Sequence, residues 1–136
     1  MPSYASIWES NADALPDAPA AAHGSEIHTW REFEDRSARI AAALDAHGVG
    51  HDDKVGLFLF NGFEYLEAQF AAFKQRAVPF NVNYRYLAEE LAYLWVGEVR
   101  HGDRAVVFLQ RPEKESIRAD RRVGPGHRRN VAVLLL

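Results

Sequence analysis

Apolar positions recur at roughly helical spacing from Ser6 to Leu15, through Ile7, Trp8, Ala12 and Leu15, until Pro16 and Pro19 stop the pattern. A short amphipathic helix is expected there. Ala20 to His23 and Glu26 to His28 flank Gly24-Ser25, the arrangement of two short strands joined by a two-residue hairpin turn. Thr29 then precedes Trp30-Arg31-Glu32. In this T-x-x-E order the hydroxyl and the carboxylate satisfy free amides at a helix start, which predicts a helix beginning at Trp30. Its apolar stripe runs through Phe33, Ile40, Ala41 and Leu44, and Gly48 stands where a left-handed C-terminal cap is needed.

The period then changes. Gly50-His51-Asp52-Asp53 reads as a turn, and Val55 to Phe60 is a continuous apolar run of the kind found in a strand covered on both faces. Asn61 is expected to cap a helix with its stripe at Leu66, Phe70 and Phe73, while Ala68, Ala71 and Ala72 permit close approach. The helix should end near Arg76. Val78 to Val82 returns as a second strand, giving a strand-helix-strand unit with a right-handed crossover. Ala88 to Leu94 begins another helix led by Glu89 and Glu90, and Ala105 to Leu109 has strand composition.

Composition divides the 136-residue chain near Trp95. Before that point seven Lys/Arg face fourteen Asp/Glu, a net of −7; beyond it nine face five, a net of +4. Only Phe108 of the sixteen aromatic residues lies in the second part, which therefore has little with which to build a core. The absence of cysteine excludes disulfides and thiolate zinc sites. No signal-peptide pattern opens the chain and no apolar run approaches membrane-spanning length, so a soluble, cytoplasmic protein is expected.

Five short motifs occur in order: Thr29 to Phe33, Gly48 to Val55, Asn61 to Tyr65, Phe73 to Val78, and Pro79 to Tyr93. Together they resemble the N-terminal portion of an acyl-CoA synthetase of the adenylate-forming, AMP-binding ligase superfamily. Asn81 to Tyr86 further resembles its fatty-acid and sterol side-chain branch. Two departures stand out: His51-Asp52 in place of the usual Gly-Asp, and Arg76 in place of Gly. The resemblance covers about residues 4 to 94 and implies an α/β fold, an incomplete N-terminal part of the large ligase domain. The domain reading is therefore residues 1–95 as ligase and 96–136 as an irregular, poorly ordered basic tail. Its Arg, Gly and Pro content fits GC-rich coding DNA read out of register or a divergent basic extension.

The resemblance implies, for the parent family, ATP- and magnesium-dependent conversion of a carboxylate to an acyl-adenylate, then transfer to coenzyme A. The Ser/Thr/Gly phosphate loop, the acidic magnesium residue, the ribose-binding Asp and the late lysine of such enzymes cannot be placed here. The chain has one threonine, Thr29. No catalytic, cofactor-binding or metal residue is assigned, and this fragment is expected to be inactive alone. His47 and His51 are separated by helix-breaking glycines and lack a third ligand. Glu89-Glu90 and Glu32-Glu34-Asp35 read as solvated helix surface, Trp8, Trp30 and Trp95 as packing residues, and Gly48-Val49-Gly50 as a connector. Tyr84-Arg85-Tyr86 reads as a packed loop, with nucleotide or RNA contact as its alternative. Two other function classes stay open. One is a non-catalytic module binding a partner, or a second copy, through exposed sheet edges. The other is a nucleic-acid binder using Arg118, Arg121, Arg122, Arg128 and Arg129.

Overall fold

The computed structural model describes residues 2–83, 85–86, 89–90, 105–109 and 131–135. The chain opens with α1 (Tyr4–Ala14), whose start is capped by Ser3, the hydroxyl accepting from the Ser6 amide at 3.1 Å. Ala5, Trp8 and Ala12 turn inward, whereas Ile7 and Leu15 are exposed. The expected stripe is thus rotated. The buried side combines the small Ala5 and Ala12 with Trp8, whose ring packs on Phe33 and Phe70.

The hairpin forms as expected from β1 (Pro19–His23) and β2 (Glu26–Thr29), with Gly24 at φ +62 in its turn. α2 (Trp30–Ala46) follows directly, with both halves of the capping box made: the Glu32 amide donates to Thr29 Oγ1 at 3.3 Å, and the Thr29 amide donates to Glu32 Oε2 at 2.8 Å. At its other end the Gly48 amide donates to the Asp45 carbonyl and the Val49 amide to the Leu44 carbonyl. That pair is a Schellman motif, and Gly48 takes the left-handed conformation (φ +73) that it requires.

The central unit is β3 (Lys54–Phe58), α3 (Phe63–Lys74) and β4 (Val78–Asn81), with the two strands parallel. Asn61 does not cap α3. Gly62 occupies that position with no side-chain cap, so the helix begins one residue later than an Asn61 cap implies. The inward face also differs: Phe63, Glu67, Phe70 and Ala71 are buried, while Leu66 is 38% exposed. α3 ends in a second Schellman motif, with Arg76 to Phe73 and Ala77 to Ala72 hydrogen bonds, and here the left-handed residue is Arg76 at φ +55.

β5 (Ala105–Leu109) lies parallel to β3 on the side opposite β4, and β6 (Val131–Leu135) continues the sheet beyond β5. The order β4-β3-β5-β6 makes β3 an interior strand, which explains its continuous apolar character. β6 is an element that the Arg-rich composition around it concealed. Glu89 and Glu90 are helical; the rest of the helix expected over 88–94 lies outside the described residues.

Two clusters form the core. Leu44 from α2, Val55 and Leu57 from β3, and Ala68, Ala71 and Ala72 from α3 make the larger one, all essentially inaccessible. The alanines let the α2 and α3 backbones approach. Phe33, Phe70, Trp8 and Ala5 make the smaller one, with Phe33 and Phe70 stacked at 5.6 Å. Fully burying a residue such as Leu44 or Phe70 contributes roughly 2 to 3 kcal/mol.

The backbone clarifies the Gly48 to Val55 motif, in which the resemblance expects a glycine followed by an aspartate two residues before Val55. The positive φ falls on Asp52 (φ +64), so Asp52 itself stands at the glycine position and Asp53 is the following aspartate. This corrects the alignment of His51-Asp52 with Gly-Asp. Asp53 accepts from the Gly50 amide at 2.8 Å and closes the turn.

Candidate functional site

The most constrained polar group is Glu67, a carboxylate in the middle of α3 with 1% exposure. Helical spacing places it one turn after Phe63 and one turn before Ala71, so it faces inward with them. Arg36 of α2 donates from Nε to Glu67 Oε1 at 2.7 Å. His28 of β2 brings Nδ1 to 3.4 Å from the same oxygen without hydrogen-bond geometry, while its ring stacks on Phe63 at 3.7 Å. The hairpin, α2 and α3 therefore meet at one carboxylate. Its hydrogen bond raises the proton affinity of Arg36, against the opposing effect of burial.

A second junction joins α1, α2 and α3. Lys74 of α3 donates to Glu9 of α1 at 2.6 Å and to Glu34 of α2, and its ammonium lies 4.8 Å from the centre of the Phe70 ring. Burial pulls the Lys74 proton affinity down, but the hydrogen bonds to Glu34 and Glu9 outweigh it and leave it raised. Neither junction presents a reactive group. Glu67 is neutralised and inaccessible, and Lys74 is held by two acceptors.

The strand-to-helix junction after β3 is the place where a phosphate could meet helix amides. Gly62 leaves the first turn of α3 free of a side-chain cap. Glu64 nevertheless occupies that turn, its Oε2 only 3.3 Å from where a Cβ on Gly62 would stand, with the His23 ring at 3.8 Å. A carboxylate there complements the helix dipole and repels an anion. The residues present do not fit ATP or its phosphates. Beside them a shallow groove of about 330 Å³ is lined by Ala22, His23, Asn61, Gly62, Phe63, Tyr65 and Leu66.

The residues singled out from the sequence disperse. His47 Nδ1 is 2.7 Å from the Ala43 carbonyl oxygen and His51 pairs with Asp52, and no metal-binding group of three occurs among the described residues. Glu32 caps α2, Glu34 holds Lys74 and Asp35 pairs with Arg39, so the acidic trio serves three separate contacts. The Thr29 amide, then its hydroxyl, holds the Glu32 carboxyl below the ordinary carboxylate range. Trp8 packs on Phe33 and Phe70, and Trp30 edges onto Phe33. Arg85 is exposed and Tyr86 half-buried, beside Asn83, whose side chain and carbonyl accept from their amides. Tyr84, Trp95 and the tail arginines lie outside the described residues. Among the described residues no helix is long and apolar enough to cross a membrane.

A four-stranded parallel sheet packed by α3, with α2 and an antiparallel hairpin beside it, defines an α/β scaffold. The same fold occurs in the N-terminal domain of FACL13 from Mycobacterium tuberculosis, at a TM-score of 0.72 and 24% identity, over 81% of this chain and 28% of that one. The model of the family described as AMP-binding enzyme matches residues 8–132, and the chain belongs to that family. This match runs well past Tyr93, where the short motifs end. The medium-chain acyl-CoA ligase Mig of Mycobacterium avium is 40% identical over 101 residues, 65% of this chain and 18% of that protein. The 3-oxocholest-4-en-26-oate–CoA ligase of Rhodococcus rhodochrous is 40% identical over 91 residues, 67% of this chain and 16% of that protein. The chain thus spans less than a fifth of the length of either relative.

Proposed function

We propose that this chain is N-terminal scaffold of an acyl-CoA ligase that activates fatty-acid or sterol side-chain carboxylates, and that the 136 residues alone do not catalyse the reaction. In the complete enzyme ATP and magnesium would form the acyl-adenylate and coenzyme A would receive the acyl group. The observation that carries the reading is the pairing of a family match over residues 8–132 with a β3-to-α3 junction that offers phosphate a carboxylate, Glu64, rather than hydroxyls and a lysine. The names of the similar ligases support the substrate class.

ATP-pyrophosphate exchange by the purified 136-residue chain, with a panel of medium- and long-chain fatty acids and a sterol side-chain acid, tests the inactivity. Exchange indistinguishable from buffer is expected. Sustained exchange that co-elutes with the chain would overturn it.

A further inference from the structure

We draw no further inference here: the strongest candidate, the apolar groove of about 330 Å³ between the β1-β2 hairpin and the first half of α3, bordered by the exposed Leu66, is an unpartnered face and nothing in the structure shows what covers it.

Discussion

Arg76 occupies a backbone position built for glycine, and replacing it with glycine should stabilise the fold. Its φ of +55 puts it in the left-handed region, as the residue after the C-cap in the Schellman motif that ends α3. An L-residue pays roughly 1 to 2 kcal/mol for that conformation through its Cβ. Glycine pays nothing there but loses about 0.5 to 1 kcal/mol more chain freedom on folding. The side chain is exposed and forms no ion pair among the described residues, so its removal adds little. The motif's hydrogen bonds, and the bond from the Asp52 amide to the Arg76 carbonyl at 3.0 Å, are all backbone and survive the change. The net expectation for Arg76→Gly is a gain of about 0.5 to 1 kcal/mol. With a urea slope of about 2 kcal/mol per molar, the unfolding midpoint should rise by about 0.3 to 0.5 M at unchanged slope. Arg76→Ala keeps the Cβ and should raise it little. A fall in midpoint for Arg76→Gly, or an equal rise for Arg76→Ala, would refute the backbone argument.

Other outcomes follow from the two polar junctions and the capping box. Arg36→Ala strands the buried Glu67 carboxylate and should cost about 2 to 3 kcal/mol, less than a wholly buried pair because Arg36 is half exposed; Glu67→Gln in the same background should recover part of it in urea melts. Lys74→Met frees Glu9 and Glu34, and loosening of α1 should appear as a shift in Trp8 fluorescence, resolved from the other tryptophans by a Trp8→Phe control. Because folding raises the Lys74 proton affinity, its stabilisation is complete below about pH 10.5 and is lost as pH rises through the higher folded value; Lys74→Met should flatten that alkaline decline. For Glu32 the sign is opposite: its stabilisation is present above the ordinary carboxylate range and disappears as pH falls through the lowered folded value. Thr29→Ala should cost about 1 kcal/mol at neutral pH, and Glu32→Gln should remove this component of the acid sensitivity, both read by thermal melts.

What the sequence made legible was local and stereochemical. The Thr29-Glu32 capping box, the Gly24-Ser25 turn and the Gly48 cap each depend on a few neighbouring residues, and each formed where expected. Asn61 failed because a capping residue type shows only the capacity to cap; the chain enters α3 through Gly62, leaving Asn61 exposed. Glu67 was missed because a carboxylate within an apolar stripe reads as a break in the pattern. Its partners, Arg36 and His28, come from elements 31 and 39 residues away in sequence, so only tertiary packing reveals why it is buried. A signal was present nonetheless: Glu67 sits at i+4 from Phe63 and at i−4 from Ala71, on the buried face. β6 was concealed for a related reason, since average composition over a segment conceals five apolar residues at its end, Val131 to Leu135.

The strand order also marks the place where an open α/β sheet of this kind would hold a ligand. β4 lies on one side of β3 and β5 on the other, so the chain reverses its direction of travel across the sheet between β3 and β5. Open α/β sheets bind ligands beyond the strand C-termini at such a reversal. On the β3 side those positions carry Leu59, Phe60, Asn61 and Gly62, followed by Glu64 in the first helical turn. One amide side chain and one carboxylate cannot compensate the charge of a triphosphate, and the carboxylate opposes the attraction of the free helix amides. Titration calorimetry with magnesium-ATP should therefore detect no binding tighter than about 1 mM, the level at which association is worth only about 4 kcal/mol. Glu64→Gln should not create tight binding, because removing repulsion supplies no lysine or hydroxyl donors. Saturable binding in the micromolar range by the unmodified chain, with one site per molecule, would mean that the β3-to-α3 junction does not govern nucleotide affinity.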